Sequence, residues 1–574
     1  MDNFSIARIF REIADLLEIK GENPFKVRAY RGAADTVADC PESVANLSED
    51  NRRRLPGIGR DLAGKLAELV ETGALAYHRD LLAEFPPSIL DILKLQGVGP
   101  KTVALLYREL NIRTLDDLES AARAGRLRAI KGMGAKKEAL MLKSIAERKQ
   151  AQGRRLTAEA HDVAAVLVAA LRTGAPDATI LPVGSLRRGC ETCGDLDILA
   201  AGADATLMDV FARHALVERV LGRGETKSSV LLRGGFQADL RAVPRESAGA
   251  AMQYFTGSKA HNIALRDRAI QRGLKLNEYG LFDLATGMRV AGAAEEEIYE
   301  ALGLAWVPPE LRENRGEIAA AEARALPELI ELADIRGDLH MHTTRTDGRA
   351  DAGSMARAAR ELGREYIAIT EHSKALAMAN GLDERAALEH AARVRALNGR
   401  VDGLTVLAGI ECDILPDGRL DLSDDCLAQL DYVVASAHSG FGQGESEMTE
   451  RLLRALSCPW VDALGHPTGR LLLRREGYPF RLEQVVTEAA RLGVALEINC
   501  QIDRLDLNDV NARLARERGA RLVISTDAHA PSALGWMRWG VTVARRAWLR
   551  RSDVLNTMPL DAFRASLRRS RPRP

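Results

Sequence analysis

Gly184-Ser185-Leu186-Arg187-Arg188-Gly189, followed by Gly194-Asp195-Leu196-Asp197-Ile198-Leu199, decides how this chain is read. Asp195 and Asp197 stand two apart in an apolar run. On a β-strand both carboxylates then point to one face, while Leu196 and Ile198 point to the other, into a core. A second apolar strand, from Gln237 to Val243, carries Asp239. Three carboxylates on one sheet face repel one another unless cations neutralise them. The arrangement suits two Mg²⁺ ions about 3.5–4 Å apart, which activate an attacking hydroxyl and stabilise a leaving pyrophosphate. The run just upstream supplies the hydroxyl of Ser185, backbone donors from Gly184 and guanidinium groups, a donor set that holds a triphosphate.

On the N-terminal side, short amphipathic patterns are joined by three similar turns: Leu55-Pro56-Gly57-Ile58-Gly59, Leu95-Gln96-Gly97-Val98-Gly99 and Ile130-Lys131-Gly132-Met133-Gly134. Each reads as a hairpin between two helices, with glycines permitting the tight turn. The second helix opens with free N–H groups that hold a DNA phosphate without reading sequence. The plain alternative is a helix connector, since glycine ends helices everywhere. One such turn would not distinguish the two readings. The same pattern three times favours DNA contacts at Gly57, Gly59, Gly97, Gly99, Gly132 and Gly134.

Bulk composition constrains the rest. A length of 574 residues implies about three or four domains. The net charge is zero, yet the stretch from Arg538 to Pro574 is arginine-rich, and the span from Asp338 to Ala530 is acidic and holds most of the histidines. The arginines fit either a phosphate-backbone footprint or a solvated helix face. Seven scattered cysteines argue for a reducing compartment and against a disulfide framework. Cys190 and Cys193 form a lone CxxC with no second pair nearby, a weak zinc signal. No signal-peptide core and no bilayer-length apolar run is present, so a cytoplasmic protein is expected.

Beyond a segment from Pro308 to Ile335, read as a helical linker, apolar strands recur near Asp338–Met341, Tyr366–Thr370, Leu404–Ile410, Tyr432–Ala437, Val461–Leu464, Val494–Ile498 and Leu522–Ser525. Most of the intervals have helical patterning, which predicts a βα barrel one strand short of eight. Of eleven histidines in the chain, most fall here, at strand ends. His340, His342, Asp347, His372, Glu411, His438, His466, Asp527 and His529 share that rim. Nitrogen and carboxylate donors without thiolate suit Zn²⁺, Mn²⁺ or Fe²⁺ in hydrolysis, where the ion acidifies water.

Taken with GSLRRG, GDLDIL, QADLRAV, YFTGS and NEYGLF, residues 1 to about 315 resemble the polymerase core of the family X DNA polymerases. The resemblance implies that Asp195, Asp197 and Asp239 hold Mg²⁺ or Mn²⁺, and that Asp239 helps deprotonate a primer hydroxyl. It places Ser185, Arg188 and Gly194 on the incoming triphosphate, Tyr254, Phe255 and Gly257 beside its sugar, Asn262 beside its base, and Arg266 near the template. Gln237 and Lys259 depart from the animal enzyme. The family's lyase nucleophile is a lysine that attacks a 5′ deoxyribose phosphate. Lys65 matches its position, but Asp61 replaces a phosphate-binding lysine, so a solvated helix lysine is the alternative. Residues 338 to 530 resemble the polymerase and histidinol phosphatase (PHP) domain. That likeness implies a site of three ions, Zn²⁺ or Mn²⁺, on the nine residues named above; Glu371 stands where Asp is usual and is not counted as a ligand.

The expected fold is multidomain, α+β with α/β. It runs as helix-hairpin-helix regions (1–85 and 86–155), a nucleotidyltransferase palm (156–245), a nucleotide-selection subdomain (246–315), a linker (316–336) and a distorted seven-stranded βα barrel (337–574). The function implied is a monomeric repair polymerase that fills gaps using dNTPs on gapped or primed DNA, with 3′-5′ exonuclease or 3′-end phosphoesterase activity. A DNA-end scaffold with an idle barrel and a small-molecule phosphatase with a DNA-binding region are the rivals. The carboxylates oppose the first rival and the hairpins the second.

Overall fold

Phe10, Ile13, Ala14 and Leu17 recur at helical spacing and are all buried in the first helix, Asn3–Lys20. The same periodicity builds eight further helices among the described residues of this region, all packed on one core. The structure, a computed structural model, describes residues 3–568 except 39, 41–43, 45, 46, 86, 87, 94, 96, 97, 131, 132 and 152. It divides into two units, Met1–Gln152 and Gly153–Pro574.

In the first unit the three turns share one backbone hydrogen bond. Ile58 N–H donates to Leu55 O (3.1 Å), Val98 N–H to Leu95 O (3.2 Å) and Met133 N–H to Ile130 O (3.0 Å). The residue between the glycines is buried each time. Helices then start at Arg60, Pro100 and Ala135. Gly57 has φ +71°, which glycine adopts freely. Gly59, Gly99 and Gly134 have ordinary φ and nothing within 4 Å of where a Cβ would stand. Packing within the chain therefore does not require glycine there. Gly97 and Gly132 lie outside the described residues.

The second unit opens with a five-stranded sheet: β1 (Thr179–Pro182), β2 (Asp195–Ala201), β3 (Val217–Arg223), β4 (Lys227–Leu232) and β5 (Phe236–Val243), in the order β1-β2-β5-β4-β3. Strand β2 runs parallel to β5 between antiparallel neighbours. A three-stranded meander follows, β6 (Leu274–Asn277), β7 (Gly280–Asp283) and β8 (Arg289–Ala291).

Seven parallel strands come next in sequential order: β9 (Gly337–Asp338), β10 (Tyr366–His372), β11 (Thr405–Asp413), β12 (Tyr432–Ser436), β13 (Ala463–Leu464), β14 (Ala495–Asn499) and β15 (Leu522–Ser525). A Met341–Ala528 bridge and a bond from His342 N–H to Ala528 O (2.9 Å) link the first and last segments, so the barrel nearly closes. The expected architecture is thus the one observed. The strands are covered on both faces, which explains their unbroken apolar runs. Ile367, Ile369, Val406, Ala408 and Ile410 belong to the larger core, whereas Tyr366, Ala368, Leu407, Tyr432, Val434, Ala495 and Val523 belong to a second, smaller one. Phe563, from the helix Leu560–Ser566, fills that second core, stacked at 5.2 Å on Tyr366. Each such side chain contributes about 1.5–3 kcal/mol on burial. That offsets a backbone ordering cost of about 1–2 kcal/mol per residue.

Three expectations need correction. The segment 308–335 is not a helical linker: its one α-helix is six residues long, Glu317–Glu322. The rest is pinned by packing, with Arg312, Glu317, Ala321 and Ile330 all buried. Next, β9 ends at Asp338, so His340 and His342 stand outside the regular ladder; the pleat does not align them, although their rings lie 5.3 Å apart. Finally, the arginine-rich stretch is not a uniform solvated face. In the helix Met537–Arg546, Arg546 is buried and Arg545 pairs with Glu310 (2.7 Å) and donates to Ile330 O (3.0 Å).

A buried charge network joins these layers. Arg187 makes a bidentate pair with Glu295 (2.8 and 2.7 Å), and Arg312, fully buried, donates to the same carboxylate (2.7 Å). Burial alone would raise the Glu295 pKa, but the two guanidinium groups pull it down to about 2. A folded value below the unfolded one stabilises the fold above about pH 4.5, and the benefit is lost as pH falls towards 2. The shift corresponds to roughly 3 kcal/mol. The melting-temperature gap between the wild type and Glu295→Gln is therefore expected to close between pH 5 and pH 2. A gap constant over that range would refute the linkage.

Candidate active sites

The palm centre is built by strand register. Asp197 on β2 lies directly beside Asp239 on β5, and Asp195 beside Gln237. Gly184 has φ +65°, and a Cβ there would stand 2.5 Å from Asp197 Oδ2. Only glycine lets the loop turn and come this close to the carboxylate. Burial, then repulsion from Asp195 and Asp239, push Asp197 up to about pH 6. Asp239 is held below the usual carboxylate range despite burial, because Lys227 Nζ (2.7 Å) and Gln237 Nε2 (3.0 Å) bind its ionised form. The repulsion that raises Asp197 is the signature of a centre suited to cations.

The loop meets the YFTGS turn. Arg188 donates from Nη1 to Thr256 O (2.6 Å) and from Nε to Glu313 Oε1 (3.0 Å). Gly257 has φ +70°, and a Cβ there would lie 3.3 Å from Arg188 Nη1. Tyr254 and Phe255 pack edge to face at 5.2 Å, and the Arg241 guanidinium lies 5.2 Å from the Phe255 ring. Asn262 donates to Tyr254 O and accepts from Gln253, each at 2.7 Å. Ser185 is half-buried in the short helical turn Gly184–Arg187, while Gly194 and Asp195 are exposed. Arg266 and Lys259 are exposed on the helix Lys259–Gln271.

At the barrel rim all nine expected residues converge. Glu411 is the hub: its oxygens lie 2.8 Å from His372 Nδ1, 2.9 Å from His466 Nε2, 3.2 Å from His438 Nε2 and 3.4 Å from His340 Nε2. Asp347 lies 3.4 Å from both His372 Nε2 and His529 Nε2, and Asp527 lies 3.1 Å from His342 Nε2. The donors form three overlapping groups: His342, Asp347, His372 and His529; His340, His342 and Asp527; and His372, Glu411 and His438. Several buried donor atoms have no hydrogen-bond partner, among them His340 Nε2, both nitrogens of His342, Glu411 Oε2 and Asp527 Oδ1. Orphaned buried atoms are costly unless something binds them. Here they face one another, so the donor set fits metal ions.

Electrostatics agrees. Despite burial, which lowers a histidine pKa, Glu411 and Asp347 raise His372 to about 10, and Glu411 and Asp413 raise His438 to about 9. Burial and the neighbouring His372 and His529 push His342 down to about 4. The carboxylates favour positive charge on the neighbouring His372 and His438, the charge a bound cation would supply.

The families described as helix-hairpin-helix domain, SAM-like helix-hairpin-helix tandem, DNA polymerase beta palm, DNA polymerase beta thumb and PHP domain match residues 1–75, 89–147, 156–234, 251–313 and 338–501. The DNA polymerase/3'-5' exonuclease PolX of Bacillus subtilis (strain 168) is 37% identical over 573 residues, covering 99% of this chain and 100% of that protein. This chain belongs to the family X DNA polymerases. Its barrel is also similar to probable phosphatases. One, from Thermoanaerobacter sp. (strain X514), is 28% identical over 38% of the chain and 89% of its own length. Another, from Shewanella sp. (strain ANA-3), is 30% identical over 39% and 88%.

In this family X polymerase the palm match stops at 234 and the PHP match at 501. Asp239, Asp527 and His529 lie beyond those two segments; strand register puts Asp239 beside Asp197, and the rim distances put Asp527 and His529 beside His342 and Asp347. Lys65 is pinned by Asp61 one helical turn away and lies beside the stacked Tyr30 and Tyr77, its ammonium 5.9 and 5.2 Å from their rings. Glu371 accepts hydrogen bonds from Thr343 and Thr346, which tie down the loop that carries Asp347.

The sequence reading missed Lys227 and Glu497. Glu497 accepts from His466 N–H (2.7 Å) and Asn499 Nδ2 (3.1 Å), and its other oxygen lies 2.7 Å from His340 Nδ1. Strand parity would have found it. Glu497 follows Ala495 on the small-core face of β14, as Glu411 extends the face of Leu407 on β11. Partners of this kind fix ring orientation and typically change metal affinity about 10–100-fold. Glu497→Gln is accordingly expected to lose metal on dialysis at about 10–100-fold higher free-ion concentration than the wild type. Equal metal retention would show that Glu497 does not orient His340.

Proposed function

We propose that this polymerase fills short gaps in DNA by two-metal nucleotidyl transfer, and that its barrel removes nucleotides or blocking phosphates from 3′ ends. The observation that carries the reading is the register of Asp197 beside Asp239 with the Gly184 loop closed onto them. Asp195, Asp197 and Asp239 would hold Mg²⁺ or Mn²⁺. His340, His342, Asp347, His372, Glu411, His438, His466, Asp527 and His529 would hold Zn²⁺ or Mn²⁺, three ions matching three overlapping donor groups. Such ions, when bound, polarise phosphoryl oxygens and acidify water.

The residues of the chain do the rest. Asp239, kept ionised by Lys227 and Gln237, accepts the proton of the primer 3′-hydroxyl. Ser185, Arg188 and Gly194 bind the triphosphate of a dNTP. Tyr254, Phe255 and Gly257 flank its sugar, Asn262 its base, and Arg266 the template. The glycine turns, whose Gly59, Gly99 and Gly134 leave room for close approach, hold the phosphates of gapped or primed DNA without reading sequence. Lys65, paired with Asp61, serves as a helix lysine rather than as a lyase nucleophile.

The Bacillus relative named as polymerase and exonuclease supports both activities, and the phosphatase relatives support 3′ phosphates as a further substrate of the barrel. We place the polymerase in the cytoplasm, acting as a monomer. Among the described residues no helix is long and apolar enough to cross a membrane. The test is extension of a primer across a short gap, with Asp195 and His340 replaced in turn. Synthesis and 3′ hydrolysis must separate.

A further inference from the structure

The barrel touches the palm at the phosphate loop itself. Arg546, on the helix Met537–Arg546 that follows β15, donates from Nη1 to Arg188 O (2.7 Å) and to Glu313 Oε1 (3.0 Å). Its Nη2 pairs with Asp509 Oδ2 at 2.9 Å, and Arg315 pairs with the same oxygen at 2.9 Å. Glu313 is also the partner of the Arg188 side chain. One barrel arginine therefore grips both the backbone of Arg188 and the carboxylate that aims its guanidinium. Two further contacts frame the loop. Gly189 lies so close to the same helix that a Cβ would stand 2.2 Å from Thr542 Cγ2. Glu191, two residues on, makes a bidentate pair with Arg470, which belongs to the loop following β13 (3.0 Å for one arm). Arg546 is 7% exposed, so these bonds are sheltered from competing water and worth more than surface ion pairs.

We infer that the barrel is a structural part of the polymerase's nucleotide site: Arg546, with Arg470 in support, is a positioning residue that sets Arg188 for the incoming triphosphate. This rests on the polymerase reading above. The contacts of Arg546 are with Arg188 O, Glu313 and Asp509, so it acts through Arg188. Its loss leaves the carboxylates in place and lets the loop and Glu313 drift. The effect then falls on nucleotide binding, whereas the chemical step and 3′ hydrolysis are retained.

The experiment is single-nucleotide incorporation into gapped DNA by the full chain. The wild type, Arg546→Gln, Glu191→Gln, Arg188→Ala and the Arg188→Ala/Arg546→Gln double variant are compared, with thermal melts as the check on folding. For Arg546→Gln the dNTP KM is expected to rise about tenfold and kcat to change less than threefold. Glu191→Gln is expected to raise KM about threefold. In the Arg188→Ala background, Arg546→Gln should add nothing, because two residues acting through one contact are not additive. A KM within twofold of wild type in a folded Arg546→Gln enzyme overturns the inference. So does an undiminished Arg546→Gln effect when Arg188 is already absent. If Arg546→Gln does not fold, Glu191→Gln is combined with Arg188→Ala and decides by the same two criteria. A wild type that incorporates no nucleotide at all would instead overturn the polymerase reading itself.

Discussion

Replacing Asp195 by alanine is expected to lower nucleotide incorporation at a gap by about a thousandfold or more, while 3′ hydrolysis stays within twofold of wild type. Asp195 is exposed at the start of β2, so its removal disturbs no core. It does remove one of three carboxylates whose mutual repulsion, added to burial, raises Asp197 to about pH 6. A site with two carboxylates attracts divalent cations less strongly. Metal ions supply several kcal/mol of transition-state stabilisation in phosphoryl chemistry. A loss of about 4 kcal/mol is about a thousandfold in rate. Hydrolysis is spared because its donors belong to a different sheet. Steady-state incorporation into a gapped duplex and release of nucleotides from a 3′ end, measured on one preparation, check both halves. Loss of both together would mean that the centres are not separate.

The reverse is expected of His340→Ala: 3′ hydrolysis falls by about a thousandfold or more, and gap filling survives. His340 is fully buried and stands between Glu497 on one ring nitrogen and Glu411 and Asp527 on the other. Alanine leaves those buried carboxylates facing one another without the imidazole, which weakens metal binding and destabilises the rim. His340→Asn keeps most of the volume and an N–H hydrogen-bond donor, but offers no imidazole nitrogen to a metal. If it shows the same split of activities while melting near the wild-type temperature, the loss is chemical rather than a general unfolding. Unchanged hydrolysis in both variants would remove the barrel rim as the nuclease centre.

Much of this was legible in the sequence because the governing periods are local. Asp195 and Asp197 share a face because strand geometry repeats every two residues, and Asp239 announces itself by the same rule. The three glycine turns repeat one short pattern, and a short pattern fixes its own backbone bonds. The ring of histidines was legible because so many imidazoles and carboxylates at strand ends fit little besides cation binding. What escaped depends on partners far away in the chain. Glu371 is rightly left out of the ligand set, but the partners that take its oxygens, Thr343 and Thr346, lie some 25 residues or more away and do not show beside His372. The segment after Pro308 looks like a solvated helix until Arg312 and Glu317 find buried partners, Glu295 and His261. The arginine-rich stretch suggested nucleic acid, whereas Arg545 and Arg546 are occupied inside the protein. Composition does not distinguish a cation waiting for phosphate from one already paired.

The Arg188–Arg546 contact has a consequence for biosynthesis. The two residues are 358 positions apart. At roughly 5–20 residues per second, a ribosome delivers the second about 20–70 s after the first. Throughout that interval the palm has emerged without the arginine that braces its triphosphate loop. A polypeptide broken off before the seventh barrel strand would leave the ribosome with its carboxylates assembled but that loop unbraced. Stalled or truncated products would then bind nucleotide weakly.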